Sequence, residues 1–206
     1  MYVLTIDQRD STHTGDRVPD LLACLEDVPS EVSFERSVGD EIQGVLGSAE
    51  AVVEATLRCV RDGGWYVGIG IGTVELPLPA SPREGRGSAF VAARAAVERA
   101  KKTADRAPLA VEGRHGAAEA EGVLSLIGRF VMNRSEAEWR ILDLLEPQQR
   151  GSQSAVARAL DISPQAVSKA VSRSAWIEEW AARPAAAVLL QLAEENVHPA
   201  ADGGRK

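Results

Sequence analysis

An α/β (α+β) fold is predicted, with a sheet-bearing N-terminal part and an all-α C-terminal part. Three observations predict it. Runs rich in Val, Ile and aromatic residues alternate with helical periodicity up to about residue 106, as at YVLTI and WYVGIGIGTV. From Ala117 onward only helical patterns follow. Residues 151–174, GSQSAVARALDISPQAVSKAVSRS, read as two short helices joined by a tight turn.

The elements follow in order. Tyr2–Ile6 is a β-branched and aromatic run, a buried strand ending at Asp7. The loop Gln8–Asp16 is rich in Ser, Thr, Asp and Gly, and a helix begins near Pro19 with Leu21, Leu22 and Leu25. Val32–Val38 alternates, with Val32, Phe34, Arg36 and Val38 on one side, and Gly39-Asp40 has the form of a hairpin turn into Glu41–Leu46. Ser48 caps a helix that runs through Cys59 and closes at Asp62-Gly63-Gly64. Trp65–Val74 is the strongest strand, with Gly68, Gly70 and Gly72 on one face, where another backbone or a ligand comes close. A proline-containing loop leads through Gly85-Arg86-Gly87 into an Ala-rich helix, Ser88–Arg106.

This order gives a small α/β sandwich near the ferredoxin-like plan, with helices on one face of an antiparallel or mixed sheet. Residues 1–106 form that domain. Residues 107–133 are a linker, broken by Pro108, Gly113 and Gly116, and a connecting helix, Ala117–Met132, whose Leu124, Ile127 and Val131 stripe means packing or dimer contact. Residues 134–197 hold a capped helix (Ser135–Glu138, then Trp139, Ile141, Leu142 and Leu145), the two-helix unit, and helical segments Ala175–Ala182 and Pro184–Glu195. Trp176 and Trp180 either pack against the two-helix unit or form a partner surface. Residues 198–206 are expected to be a disordered tail.

The two-helix unit has the residue supply of a helix-turn-helix. Val156, Ala157 and Leu160 supply the apolar face of its first helix, and Ile162 in the turn points between the helices. Ser163 is an N-cap and Pro164 takes the first helical position, where its missing N–H costs nothing. The second helix buries Ala166, Val167, Ala170 and Val171, which leaves Gln165, Ser168, Lys169, Ser172 and Arg173 outward. Polar side chains near the start of such a helix read base edges in the major groove. Gln153, Arg158, Ser163 and the flanking Arg150 complete the DNA-contacting set, the cations serving phosphates. A plain helical hairpin with solvated polar residues is the bland alternative.

With 206 residues the chain holds one large domain or two small ones, and its net charge of −7 excludes a uniformly basic DNA-binder. A bipolar protein is implied, with weak and salt-sensitive non-specific DNA affinity. Cys24 and Cys59 are expected as free, buried thiols in a reducing cytosol, and no Cys/His spacing suggests zinc. MYVLTIDQRD lacks the basic start and length of a signal peptide, and no apolar run approaches a membrane span, so the expectation is cytoplasmic.

Asp7 ends one strand and Asp40 sits in the turn between two others, so the sandwich places the two strand ends side by side. Two carboxylates there suit a hard cation such as Mg²⁺ carrying a phosphate chain, with Asp10 and Glu41 extending the acidic cluster. The loop Gln8–Thr12, with Arg9, Ser11 and Thr12, offers N–H groups and hydroxyls to phosphate oxygens. The bland alternative makes Asp7 a loop cap and Asp40 a turn residue.

The set LTIDQRDST, SVGDEIQGVL, VGIGIGTVE and GRGSAFVAARAAVERA resembles the SatD family of bacterial proteins, and LSLIGRFVMNRSEAEWRILDLLE with the two-helix unit extends the resemblance over most of residues 2–182. That resemblance implies an architecture rather than an activity. More distantly, the N-terminal part resembles the catalytic domain of class III nucleotide cyclases. This second resemblance implies metal binding by Asp7 and Asp40, base reading at Arg36 (where cyclases carry Lys) and transition-state stabilisation by Arg94; Gly39 in the turn is a further candidate nucleotide contact. The cyclase Asn position holds Phe90, which donates no hydrogen bond, and a lost transition-state donor costs roughly two to three orders of magnitude in rate. The pattern implies a domain that kept its phosphate and metal cradle and lost its chemistry.

The sequence therefore points to a homodimeric transcription regulator whose helix-turn-helix binds DNA and whose cyclase-like domain senses a nucleotide-type ligand, a purine nucleotide or a cyclic or alarmone-type messenger, with Mg²⁺. Residues 122–131 are the candidate coupling helix. Two alternatives stand beside it: an active nucleotide cyclase or phosphotransfer enzyme, and a protein-interaction or dimerisation module with no nucleotide.

Overall fold

A computed structural model describes residues 1–104, 106–146 and 152–195. The protein is mixed α/β, with a five-stranded sheet in the order β2-β3-β1-β4-β5. The strands are β1 (Tyr2–Gln8), β2 (Val32–Arg36), β3 (Glu41–Leu46), β4 (Trp65–Ile71) and β5 (Leu109–Glu112). The first four pair antiparallel, and β5 adds in parallel to β4. The helices are α1 (Ser11–Thr14), α2 (Val18–Leu25), α3 (Ala49–Asp62), α4 (Ser88–Ala100), α5 (Ala117–Met132), α6 (Glu136–Leu142), α7 (Ser152–Ala159), α8 (Pro164–Arg173) and α9 (Trp176–Glu195). No helix among the described residues is long and apolar enough to cross a membrane.

Period-two alternation sends Tyr2, Leu4 and Ile6 of β1 and Val67, Ile69 and Ile71 of β4 to one face of the sheet. There they meet α2, α3, α5 and α9 in the main core. The opposite face is not open, as a one-sided sandwich requires; α4 covers it. Gly68, Gly70 and Gly72 are the reason. A Cβ on Gly68 would lie 2.8 Å from Val97 Cα, and one on Gly70 would lie 2.8 Å from Ala93 Cα. The glycine stripe thus receives a helix backbone, and α4 answers with its own small face, Ala89, Ala93, Ala96 and Ala100. That helix stops at Ala100 rather than running to Arg106, because Lys101–Ala104 turn away and Ala104 takes a positive φ of 50°.

Other boundaries move for local reasons. The alternation expected through Val38 ends at Arg36, with a register shift between Val32 and Glu35. Val32 therefore packs beneath α4, while Phe34 packs over Gly44 on the main-core face. Val38 is 73% exposed in the turn. Residues 107–116, expected as a linker, contain β5: Leu109, Ala110 and Val111 are buried beside Val67–Gly70, so the break residues Pro108 and Gly113 flank a strand. Pro184 does not divide two helices; α9 runs through it.

The main core draws Leu124, Ile127 and Val131 from α5 and Ala186, Ala187, Leu190 and Ala193 from α9. The α5 stripe is therefore packing. A second, smaller core gathers Leu142, Leu145, Val156, Ala157, Val167 and Val171 from α6, α7 and α8, with Trp139 touching both clusters. Cys59 is buried in the main core, but Cys24 is exposed, because it lies on the outer face of α2. Residues 196–206, including the expected tail, and Arg150 lie outside the described residues.

Candidate functional site

Two sequence-derived sites and one that the sequence did not announce can be built from the residues upward. The first is the α7–α8 unit. Asp161 takes a positive φ of 52°, which turns the chain between the helices, and the Ile162 N–H donates to the Ala157 carbonyl at 3.0 Å. The Ser163 hydroxyl accepts from the Ala166 N–H at 3.1 Å, the N-cap that sequence required, and Pro164 follows it. Val167, Ala170 and Val171 are buried; Gln165, Ser168, Lys169, Ser172 and Arg173 are exposed at i, i+3, i+4, i+7 and i+8, one continuous stripe. Ala166 is exposed, not buried as expected, since it falls between that stripe and the apolar face. Arg158 and Ser163 are exposed and Gln153 is half-buried. From 152 to 174 the chain carries three cations and one acid, against −7 overall.

The second site is at the end of the sheet. Register sets Asp7 opposite Glu41 on one side and Tyr66 on the other, so Asp40 is one residue beyond Asp7's neighbour. The two strand ends do lie side by side. The Asp7 carboxylate pairs with Lys101 Nζ at 3.0 Å, at the end of α4. Burial raises the Asp7 carboxyl above the usual aspartate range, Lys101 opposes this, and the Asp40 charge adds to it. A shallow cleft of about 390 Å³ is lined by Gln8, Ser11, Gly15, Asp16, Arg36, Gly39 and Asp40. Arg36 holds its rim: it donates to the Gly39 carbonyl at 2.8 Å and to Asp16 at 2.6 Å. That hydrogen bond, with one from the Val18 N–H, holds Asp16 below the usual range.

Gln8 organises the loop above the cleft, a role that sequence reading missed. Its side chain is buried, donates to Thr14 Oγ1 at 3.0 Å and to the Gly15 carbonyl at 2.5 Å, and accepts from the Arg17 N–H at 3.0 Å. Of the other expected contacts, Arg9 lies over the Tyr66 ring, 5.0 Å from its centroid, and Thr12 is exposed in the single turn α1. Arg94 is exposed on α4 about two turns before Lys101 and does not line the cleft. Phe90 packs with Val3, Val32, Ala89 and Ala93. Among the described residues no group of three or more His, Cys, Asp or Glu is arranged around a metal position.

The third feature lies where α3, α6 and α9 meet, beside the end of α5. A cleft of about 520 Å³ is walled by Arg58, Arg61, Arg134 and Arg183 and by Trp139, Trp176 and Trp180. Arg61 stacks over Trp139 at 4.0 Å from the centroid and Arg183 over Trp180 at 4.0 Å. Arg134 and Glu179 form a buried ion pair at 2.6 Å. The sequence carries a trace of this wall: Trp176, Glu179, Trp180 and Arg183 recur at i, i+3, i+4 and i+7, one face of a helix.

Comparison of this chain with protein-family models, with curated proteins and with solved structures finds no match.

Proposed function

We propose that this protein is a DNA-binding transcription regulator whose α7–α8 unit is a helix-turn-helix and whose N-terminal sheet domain senses a nucleotide-type ligand. One observation carries the DNA half. A capped helix, α8, presents five exposed polar or cationic side chains in one stripe with no acid among them, over a fully apolar buried face. A helix that only completes a bundle also exposes a polar face, so what favours DNA is that this stripe carries cations and no acid. Gln165 and Lys169 near its start reach base edges; Arg158, Ser172 and Arg173 serve phosphates.

The strand order β2-β3-β1-β4, all antiparallel, supports the ferredoxin-like, cyclase-like reading of residues 2–71. Support for the nucleotide is the cleft bounded by Ser11, Arg36, Gly39 and Asp40, with Asp7 alongside. Mg²⁺ fits there only if Asp7 releases Lys101, a competition that couples ligand binding to the end of α4. Phe90 in its apolar cluster supports a sensor rather than a cyclase, since no transition-state donor stands at that position. Two copies would present two recognition helices to two half-sites, and the outward face of α5, where Gly122 and Leu126 are exposed, is the candidate pairing surface.

The test is selection of bound fragments from genomic DNA by the purified protein, with and without a purine nucleotide pool and Mg²⁺. A discrete, roughly palindromic site is expected. Lys169→Ala and Gln165→Ala should each weaken binding to it by about 1–3 kcal/mol while melting like the parent. Equal operator binding by both variants would remove the recognition-helix assignment. A nucleotide-dependent yield that Asp40→Asn abolishes is the expected sign of the sensor, and steady turnover of nucleotide would replace it with the enzyme reading.

A further inference from the structure

The arginine–tryptophan cleft is independent of the nucleotide reading, and its charges say what it would hold. Three of its four guanidiniums are committed to the protein. Arg58 is held by Asp27 and Glu54, Arg61 by Asp143 at 2.7 Å, and Arg183 by Glu179 and Glu54 at 2.6 Å each. Arg134 is paired as well, through Glu179, but one of its nitrogens is not. Its side chain is 1% exposed, its Nε donates to the Ser174 carbonyl at 3.0 Å, and its Nη1 touches Glu179. Among the described residues Nη2, which is buried, meets no hydrogen-bond acceptor; the guanidinium lies over the Trp139 ring, 4.8 Å from its centroid, and a buried donor is costly to leave unmet. A buried cationic donor on the wall of an aromatic-lined cleft is the signature of an anion site.

The wall also limits which anion. Glu54, Asp62, Asp143 and Glu179 line the same space, so a polyphosphate would face four carboxylates. A single negative charge on a compact group suits one free donor. The remaining lining is apolar, three indoles with Leu57, Val131, Leu142 and Leu145 among their neighbours; Trp180 is 36% exposed and meets Trp176 edge to face, with centroids 6.2 Å apart. About 520 Å³ is the size of a small metabolite site.

We propose that this cleft binds a small aromatic carboxylic acid, its carboxylate on Arg134 Nη2 and its ring against the partly exposed Trp180 indole. The position makes it an effector site. Arg134 Nε holds the carbonyl of Ser174, the residue that ends α8, and Arg61 ties α3 to the residue that ends α6. A carboxylate drawing on Arg134 acts on the group that anchors the exposed helix. This coupling to DNA rests on the regulator reading and falls with it; the binding site does not.

The experiment is ligand-observed ¹⁹F NMR of 4-fluorobenzoate and 5-fluoroindole-3-acetate with the full-length protein. Broadening of either acid at millimolar concentration is expected, with the neutral 4-fluorobenzyl alcohol unaffected. Trp180→Ala should weaken the bound acid by about tenfold or more, the scale of one lost stacking contact, while melting near the parent. Arg134→Gln should abolish binding; should that variant fail to fold, Trp180→Ala alone decides. No broadening by either acid, equal binding of the alcohol, an unchanged affinity in Trp180→Ala, or displacement of the acid by ATP would each overturn the proposal.

Discussion

Replacing Gly70 by Ala tests how α4 meets the sheet. The new methyl would lie 2.8 Å from Ala93 Cα and closer still to the Ala89 carbonyl and the Ala93 N–H. Carbon atoms in contact sit about 3.5–4.0 Å apart, so α4 must retreat by roughly 0.7–1.2 Å. None of the atoms it meets is a flexible side-chain end, so local repacking cannot absorb the strain. The α4 face buries Ala89, Ala93, Ala96, Val97 and Ala100. At about 0.8 kcal/mol per buried methyl-sized group, that face is worth about 5–6 kcal/mol. A retreat of this size forfeits roughly a quarter to a half of each contact, a loss of about 1.5–3 kcal/mol. The melting temperature should fall by roughly 3–12 °C, measured by circular dichroism. Gly122→Ala is the control: nothing lies within 4 Å of its Cβ position, and it sits inside α5. It should stabilise by about 0.5–1 kcal/mol, as Ala does over Gly within a helix. A Gly70→Ala protein that melts like the parent would refute the close-approach argument.

Other outcomes follow from single contacts. Ser135→Ala breaks a reciprocal capping box in which the Ser135 hydroxyl accepts from the Glu138 N–H and the Glu138 carboxylate accepts from the Ser135 N–H and hydroxyl, and should cost about 1 kcal/mol at pH 7. Those bonds hold the Glu138 carboxyl below its usual range. That contribution is present above the ordinary range and lost as pH falls through the lowered value; the variant keeps the backbone N–H bond and loses the hydroxyl one, so the gap between parent and variant denaturation midpoints should narrow in acid without closing, and a gap that widens in acid would contradict the assignment. Asp7 has the opposite sign. Raised by burial, it favours the folded state below the ordinary aspartate value and loses that contribution as pH rises through its folded value. Asp7→Asn should then be no less stable than the parent at pH 7, and a clear loss would mean that Lys101 more than compensates the burial. Thiol titration should find one reactive cysteine in the native protein, Cys24, and two after denaturation, because Cys59 is buried and burial pushes its thiol well up. Cys24 is exposed, yet partial desolvation by its neighbours raises its thiol, so its reaction should be slower than that of a free thiol at neutral pH.

Much of the local structure is legible without coordinates, because short-range chemistry decides it. Ser48, Ser135 and Ser163 each accept from a backbone N–H three residues on, as their place before helical periodicity requires. The outward stripe of α8 also follows from period alone, since 3.6 residues per turn sort Lys169 from Val171 in any context. The Gly68–Gly72 stripe told that something would come close to β4, but could not tell which element; a ligand and a helix leave the same mark in sequence. Only packing assigned that face to α4.

What sequence could not reach depended on contacts between distant segments. Leu109–Glu112 is too short and too closely flanked by Pro108 and Gly113 to declare itself a strand; it becomes one because β4 offers a free edge. Arg134 meets Glu179 across forty-five positions and Arg183 meets Glu54 across 129. The arginine–tryptophan cleft exists only once α3 and α9 lie together. The sequence by itself determined the elements, their caps and the faces they expose, because those follow from neighbours a few residues apart. The tertiary structure alone decided which faces meet and which charges are buried, because those are set by the packing of segments whose separation along the chain carries no local signal.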